Sequence, residues 1–228
     1  QFNWQDEKGQ MATFNEDFAN KALSMISGKS GNVTEVIEKD KKQYSPALYD
    51  LTELQRDANR MFGYSAKETL SIMQRLYENH KVLTYPRTDS RYISKDIVAT
   101  TIPQRLKSIS IGSYSKFAEE ILRGKITAHK GFVDDSKVSD HHAIIPTEER
   151  VKLSNLSSNE RKVYDLVVKR FLSVMLPPFE YVQTTIKIEV NGELFIAKGK
   201  NVKYSGWKAV YNKEEDLNEN NNDEDGLK

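Results

Sequence analysis

The sequence predicts an α+β fold in which a mainly helical segment is inserted into a β-rich unit. Capped helical patterns fill the middle of the chain, whereas apolar residues towards the two ends favour strands, most clearly by alternating with a period of two before the C-terminus. Neither end supplies enough strands for a stable sheet of its own. We therefore expect the two flanks to pair in one sheet, with the helical segment between them in the chain.

The first flank is predicted to contain strands and one helix. Residues 1–14 should form a strand, a turn and a second strand, with the bend at Gly9. Asn15 is a suitable N-cap for the helix that follows, and Gly28 is a suitable end for it. A further short strand is expected over 32–38.

Two capped helices are expected next. Residues 52–55 have the T-x-x-Q pattern of a capping box, and residues 65–68 have the S-x-x-E pattern. Gly63, between the two helices, suits a left-handed C-terminal cap. The second helix should end near Asn79. Its predicted apolar stripe consists of Ala66, Leu70, Met73 and Tyr77. The two helices together are typical of a helix-turn-helix-like pair.

Loops then alternate with helices. Residues 81–94, with the sequence KVLTYPRTDSRYIS, should be extended or looped. Helices are predicted at 94–107 and 115–123, and most of 125–149 should be loop.

The last part of the chain returns to strands. A third capping box at 157–160 opens a long helix that two prolines end. Residues 181–190 alternate as a strand, and Asn191 and Gly192 favour a type I′ hairpin into a strand at 194–199. A last strand is expected at 207–211.

Composition limits the classes of protein. No apolar run approaches the roughly 20 residues that span a bilayer, and the N-terminal residues lack the basic and apolar regions of a secretory signal. The absence of cysteine excludes disulfides and Cys-based zinc sites, and it suits a reducing, cytoplasmic location. No phosphate-binding loop or Rossmann glycine pattern is present, so nothing indicates nucleotide hydrolysis.

The net charge of +1 hides an asymmetry. Residues 213–228 carry seven acidic groups against two lysines, which leaves roughly +6 on the rest of the chain. A basic body can bind phosphate backbones, although on charge alone a solvated surface of mixed charge is the simpler interpretation. The acidic tail is expected to be disordered or to be a linker to a further segment.

The densest candidate for chemistry is LTYPRTDSRYIS, residues 83–94. Proline at position 86 favours an extended backbone at Tyr85. In an extended run, four polar side chains project from one side; they are Tyr85, Arg87, Asp89 and Arg91. A phenol with a pKa of about 10 is a poor nucleophile, and a nearby guanidinium could lower that pKa and hold a phosphodiester oxygen. From spacing alone, the structural interpretation of Tyr85 is favoured over the catalytic one, because most of the eleven tyrosines are expected to be structural.

The second candidate is SDHHAIIPT, residues 139–147, which contains two of the four histidines. Three interpretations stay open here: a plain loop, a phosphate contact, or a metal site. The metal site would use Asp134, Asp135, Asp140, His141 and His142. Against it, neighbouring side chains in an extended chain point to opposite sides.

Both segments resemble signatures of the type IA DNA topoisomerases. Residues 47–94 are similar to the part of that family that leads into its active-site tyrosine, and 139–147 are similar to a second signature, a histidine followed by x-A-I-x-P-T. Pro86 and Ile145 favour the topoisomerase III branch. The similarity spans most of 14–211.

The resemblance implies roles for individual residues. Tyr85 would attack a DNA phosphodiester and form a 5′-phosphotyrosine, Arg87 would stabilise the charge on the phosphate, and His141 would support the phosphate or a nearby nucleotide. His142 falls at a variable position and receives no role. Further residues match positions that shape the loop or face the DNA path; they are Gln55, Arg56, Thr88, Asp89, Ser90 and Arg91.

The resemblance also implies a domain organisation. Residues 1–45 and 179–211 would belong to a gate (arch) domain, 46–178 to a helical active-site tyrosine domain, and 212–228 to the acidic tail. The family's Toprim domain, which binds Mg²⁺, has no counterpart in the chain, so we expect no metal within this part and no relaxation of supercoiled DNA by it alone. The expected partners are single-stranded DNA and the Toprim and remaining domains of the same enzyme, with no membrane and no ATP.

The main alternative is a helix-turn-helix module that binds duplex DNA without cutting it. The helix over 65–79 would then read the major groove, but Glu68 and Glu78 on it are unfavourable there. A purely structural domain is the third interpretation. Neither alternative accounts for the two signatures.

Overall fold

The computed structural model describes residues 1–6, 8–124, 126, 129–138 and 140–211. It divides into two compact units. The sheet unit comprises Gln1–Gln43 and Glu180–Ser205, and the helical unit comprises Tyr44–Phe179 and residues 206–211. The architecture is mixed helix and sheet, which confirms the predicted α+β class. The predicted tail at 212–228 lies outside the described residues.

The sheet unit contains one four-stranded sheet. Its strands are β1 (Asn3–Gln5), β2 (Asn32–Gln43), β3 (Phe179–Val190) and β4 (Glu193–Tyr204), in the order β1-β4-β3-β2. β4 pairs with both β1 and β3 in antiparallel register. Strands from the two ends of the chain therefore share one sheet, as the sequence predicts.

The N-terminal part of the sheet unit differs from the prediction in one element. No strand follows the turn at Gly9, because the carboxylate of Asp6 accepts hydrogen bonds from the backbone of Lys8 and Gln10 and closes a local turn. β1 instead pairs with β4. Strands β2 and β4 are each 12 residues long, which is longer than predicted.

Local turn and cap predictions in the sheet unit are confirmed. Helix α1 (Glu16–Ile26) begins after Asn15, whose side chain accepts a hydrogen bond from the backbone of Phe18. The hairpin between β3 and β4 has positive φ angles at Asn191 (50°) and Gly192 (87°), as a type I′ turn requires.

Six α-helices and four short 3-10 helices occur in the part of the helical unit that the structure describes. The α-helices are α2 (Leu51–Phe62), α3 (Ala66–Glu78), α4 (Lys95–Thr100), α5 (Ile102–Ser108), α6 (Ser115–Arg123) and α7 (Ser158–Ser173). The 3-10 helices are Gly112–Tyr114, Asp135–Lys137, Leu153–Asn155 and Gly206–Val210. Throughout the described ranges, no helix has the length and apolar character that crossing a membrane requires.

Two of the three predicted capping positions are correct. Ser65 accepts from the backbone of Glu68 at the start of α3, and Ser157 forms a complete capping box at the start of α7. The box predicted at 52–55 is wrong. Helix α2 starts earlier because the carboxylate of Asp50 accepts from the backbone of Glu53 at 2.7 Å. The turn from α2 to α3 has a left-handed Gly63, with φ of 73°.

The apolar stripe predicted for α3 differs by about one position from the face that is buried in the structure. Its buried residues are Thr69, Ile72, Met73 and Leu76. This face packs against α2 and α7, so tertiary packing decides the rotation of the helix. Ala66 is exposed and Leu70 is half-buried, whereas Tyr77, 37% exposed, points away from the core.

Two further predictions are wrong. The helix expected at 94–107 is broken at Thr101, because Pro103 in the first turn of α5 has no N–H for a continuous helix. The strand expected at 207–211 is the 3-10 helix Gly206–Val210, which belongs to the helical unit. Its Trp207 backbone donates to the carbonyl of Pro177 after α7, so this amide is engaged within the helical unit.

Candidate active site

The two signature segments lie side by side in the helical unit. Three backbone hydrogen bonds join them, from Thr84 to Ile145, from Ala143 to Tyr92 and from Thr147 to Val82. An isolated antiparallel bridge between Leu83 and Pro146 continues the contact. Residues about 60 positions apart in the chain therefore form one short two-stranded element.

Hydroxyl groups strengthen this junction. The Thr84 hydroxyl donates to the carbonyl of Ala143 at 3.2 Å and accepts from the Ile145 backbone at 3.0 Å. The Thr88 hydroxyl donates to the carbonyl of His141 at 3.3 Å. Ser90 is buried and donates to the carbonyl of Lys137 at 2.8 Å. Thr88 and Ser90 are thus engaged in holding the loops.

The segment after the candidate nucleophile is extended, and its side chains alternate. Pro86, Thr88 and Ser90 are buried, whereas Arg87 and Asp89 are exposed. Arg91 departs from the predicted common face, because it is half-buried and its Nε donates to the carbonyl of Leu48 at 3.2 Å.

Tyr85 is held between two rings. The ring of His141 lies against it, with centroids 4.3 Å apart and an interplanar angle of 32°. Tyr77 from α3 meets it edge to face, with centroids 5.5 Å apart. The structure therefore brings Tyr85 and His141 together, as the predicted roles require.

Arg87 is exposed and has no ion pair with any residue that the structure describes. Its guanidinium remains available for a phosphate, but it is not among the residues that line the cleft beside Tyr85.

An open cleft of about 660 Å³ lies beside Tyr85. It is lined by Tyr77, Glu78, Lys81, Leu83, Thr84, Tyr85, His142 and Thr147. Sequence reasoning gave no functional role to Lys81, Thr147 or His142, and it placed Tyr77 in the core stripe. Of these four residues, only His142 could have been noticed in the sequence, because it is one of two adjacent histidines. Tyr77, Lys81 and Thr147 become neighbours of Tyr85 only through the fold.

His142 contributes a neutral polar wall to this cleft. Burial lowers the pKa of its imidazole below the ordinary value. Its Nδ1 lies 2.7 Å from the carbonyl of Ala143, a distance that suits a hydrogen bond donated by Nδ1–H. Its ring is therefore uncharged at neutral pH.

Lys81 has an unusual backbone. Its φ is 56°, in the left-handed region that few residues other than glycine adopt. Such a conformation costs on the order of 1–3 kcal/mol and persists only where neighbouring contacts impose it. The Thr147 hydroxyl donates to the Lys81 carbonyl at 2.6 Å, and the next amide, Val82, donates to Leu76. The end of the second signature thus fixes this residue.

A buried polar cluster anchors both signatures to the helices. Arg170 of α7 donates to Asp57 at 3.0 Å, and the hydroxyl of Tyr49 donates to the same carboxylate. The backbone beside this cluster holds both loops: the carbonyl of Tyr49 accepts from Ile144, and Leu51 donates to the carbonyl of Thr88. Burial raises the pKa of the Tyr49 phenol, so this tyrosine stays protonated.

Two predicted DNA-facing residues lie on α2, away from the cleft lining. Gln55 donates its side-chain amide to the carbonyl of Ala66 at 3.0 Å and so ties α2 to α3. Arg56 is exposed and forms an ion pair with Glu53.

A metal site finds no support in the second signature. Among the residues that the structure describes, no group of three or more His, Cys, Asp or Glu side chains could hold a metal ion. Asp134 instead accepts from the hydroxyl of Ser136 at 2.6 Å and pairs with Lys137. The described part of this segment therefore offers no such group for Mg²⁺.

Comparison with known proteins identifies the class of protein to which this site belongs. The family model described as DNA topoisomerase matches residues 1–226, so the chain belongs to the DNA topoisomerase family. DNA topoisomerase 3 of Bacillus cereus (strain ATCC 14579) is 58% identical over 208 residues, which cover 91% of this chain and 28% of that protein. DNA topoisomerase 3 of Bacillus subtilis (strain 168) is 53% identical over 223 residues, 97% of this chain and 30% of that protein. The predicted type IA, topoisomerase III-like resemblance is confirmed, and the chain spans less than a third of these relatives.

A solved structure shares the fold. Full-length topoisomerase I from Thermotoga maritima superposes with a TM-score of 0.64 at 23% identity, and the match covers 93% of this chain and 35% of that one. At this identity the likeness concerns the fold alone.

Proposed function

We propose that the chain carries the nucleophile of a type IA DNA topoisomerase that cleaves and rejoins single-stranded DNA through Tyr85. The observation that supports this most is the meeting of both signatures around one tyrosine, which stacks on His141 beside an open cleft. A tyrosine of the core would be enclosed. Tyr85 is only half-buried.

The proposed reaction exchanges one phosphodiester for another. The phenolic oxygen of Tyr85 loses its proton and attacks phosphorus, and the 3′-oxygen of the preceding nucleotide leaves and takes up a proton. The products are a 5′-phosphotyrosine and a free 3′-hydroxyl. Reversal of the same step reseals the strand. Because one ester replaces another, ATP is not required.

Arg87 and His141 are proposed to support this step. Arg87, exposed two residues after the nucleophile, would bind a non-bridging oxygen of the phosphate as charge builds up on it. His141, in contact with the Tyr85 ring, would hold the phenol in place and donate to the phosphate or a nearby nucleotide.

Further residues are proposed to guide the strand. Asp89 and Arg56 are exposed, so they can reach DNA. Gln55, Thr88, Ser90 and Arg91 already hold backbone carbonyls, so their contribution would be to shape the path.

The remaining proposals concern the whole enzyme. The sheet unit would belong to the gate (arch) domain and the helical unit would be the tyrosine domain. Mg²⁺ would be bound by a Toprim domain outside this chain, and without that domain the chain should not relax supercoiled DNA. We propose a cytoplasmic enzyme whose partners are single-stranded DNA and its own remaining domains.

The test is formation of a covalent adduct with single-stranded DNA by the full-length polypeptide that carries this chain. Tyr85→Phe should abolish the adduct, because the attacking oxygen is removed. Tyr92→Phe is the matched control, since Tyr92 lies in the same segment with its hydroxyl 3.3 Å from Lys137, and it should leave the adduct. DNA binding without any adduct in the unmodified protein would instead favour the non-cutting helix-turn-helix alternative.

A further inference from the structure

We propose that Lys81 binds a backbone phosphate next to the scissile one, so that the cleft beside Tyr85 is a phosphate subsite for single-stranded DNA. This inference rests on the proposed role of Tyr85. It adds a cationic residue that neither signature points to, and it names the ligand as a phosphodiester.

The position of Lys81 is the first argument. It is exposed and lines the same cleft as Tyr85, four residues before it in the chain. A DNA strand whose scissile phosphate reaches the phenol must place the adjoining nucleotides along the walls of this cleft. An ammonium group there meets a phosphodiester at short range.

The backbone of Lys81 is the second argument. A positive φ at a lysine is unfavourable, and glycine would adopt it without strain. The fold nevertheless holds it by two hydrogen bonds. The Lys81 carbonyl accepts from the hydroxyl of Thr147, the last residue of the second signature, and the Val82 amide donates to the carbonyl of Leu76 in α3. A strained residue held at the edge of a candidate active site is typical of a functional position.

The charges around the cleft are the third argument. The Lys81 side chain has no ion-pair or hydrogen-bond partner within the ranges that the structure describes. The one acidic side chain of the lining is Glu78, and it forms no salt bridge with Lys81. His142 is neutral, and the neighbouring Glu148 is paired with Arg105 at 2.8 Å. Lys81 is therefore the cation of this cleft that is available to an anion.

The experiment measures non-covalent binding of short single-stranded oligonucleotides by the full-length polypeptide in the Tyr85→Phe background, where no cleavage occurs. A neutral methylphosphonate replaces each phosphate near the cleavage position in turn. Lys81→Met is compared with the charge-conserving Lys81→Arg. The matched control is Lys67→Met, because Lys67 is also exposed but lies on α3 outside the cleft lining.

We expect Lys81→Met to weaken binding about tenfold, because it removes a hydrogen bond to a charged phosphate that binding brings into the cleft. The slope of log affinity against log salt should fall by about 0.7, the value for one phosphate of a single strand. One of the methylphosphonate positions should weaken DNA binding by the protein that retains Lys81. The same methylphosphonate should not weaken DNA binding by the Lys81→Met variant any further. Lys81→Arg should keep most of the affinity, and Lys67→Met should behave like the parent.

Additive effects of Lys81→Met and the methylphosphonate at every position would overturn the proposal, as would equal losses for Lys67→Met. If Lys81→Met does not fold, Lys81→Gly replaces it, since glycine suits the positive φ. The outcome is independent of the adduct test. A protein that binds DNA through Lys81 but forms no adduct at Tyr85 would contradict the proposed nucleophile. Lys81 would then remain a phosphate contact, but not one next to a scissile phosphate.

Discussion

The helical unit and the sheet unit are stabilised in different ways. The main cluster of buried apolar side chains lies entirely in the helical unit, between Leu48 and Val210. In the sheet unit, α1 and β2 have no buried residue, and Val190, Ile196 and Ala197 are its buried apolar side chains among the described residues. The candidate nucleophile lies in the unit with the core. Positions that must be held to fractions of an ångström are thus placed where packing is densest.

The strongest test of this comparison is the buried ion pair. Arg170→Met removes the buried cation from Asp57, whose other carboxylate oxygen keeps its pair with Arg60. The loss should be about 3 kcal/mol of the free energy of unfolding, the lower end of the range for breaking a buried ion pair. Because Asp57 also holds Tyr49 beside both signatures, adduct formation should decrease together with the stability. Denaturant unfolding measures the loss. Arg123→Met, which breaks an exposed pair with Glu119, should cost less than about 0.5 kcal/mol, and similar losses for both would refute the contrast.

Core truncation gives the next largest effect. Leu54 is fully buried in α2, so Leu54→Ala should cost about 2–5 kcal/mol. Val36 of β2 is 57% exposed, so Val36→Ala should stay within about 0.5 kcal/mol. Hydrogen exchange of the two units should show increased opening for the first variant alone. An equal response to Val36→Ala would mean that the sheet unit has a core of its own.

Acid should destabilise the helical unit through Glu160. Burial raises the pKa of this carboxyl, but hydrogen bonds from the Ser157 backbone and from Arg75 outweigh burial, and the pKa is below its ordinary 4.5. A depressed pKa in the folded state means that the stabilisation is present above pH 4.5 and is lost as the pH falls through the folded value.

Glu160→Gln should therefore flatten the pH dependence of the thermal unfolding temperature below pH 4.5. The control is Asp40→Asn in the sheet unit. The Lys203 partner also lowers the pKa of Asp40, but this carboxyl is fully exposed, so the variant should leave the acid profile unchanged. An unaltered profile in Glu160→Gln would contradict the prediction.

The smallest expected effect concerns Lys81. Lys81→Gly relieves the positive φ but makes the unfolded chain more flexible, so the net gain should be at most about 1 kcal/mol. Thermal unfolding measures it. Lys67→Gly, in the first turn of α3, relieves no such strain and should instead destabilise by up to about 1 kcal/mol. A loss of stability in Lys81→Gly would show that its side chain supports the fold.

What could be predicted from the sequence was largely local. Asn15, Ser65 and Ser157 cap their helices because a short side chain and a backbone N–H three residues later suffice. The hairpin at Asn191 follows from the same kind of local chemistry.

Elements that depend on distant partners were predicted less well. The 3-10 helix Gly206–Val210 has strand-like composition, but its backbone is held by Pro177 at the end of α7. The rotation of α3 by about one position follows from packing against α2 and α7. Tyr77 therefore moved from the predicted core to the candidate site.

The candidate site shows the same division. The signature residues Tyr85, Arg87 and His141 could be selected from the resemblance, and the contact between Tyr85 and His141 was found in the structure. Lys81 could not be selected. Its significance depends on a backbone angle and on a hydrogen bond from Thr147, 66 positions away in the chain.

The junction of the two signatures sets a minimum size for any transplant of this tyrosine into another scaffold. Residues 82–92 share backbone hydrogen bonds with 143–147 and with Leu51, and Tyr49 in turn pairs with Ile144. A graft of the first peptide alone would therefore arrive with unpaired amides and a freely rotating ring. The smallest portable assembly is three separate stretches of chain, together with the Arg170 side chain that fastens one of them.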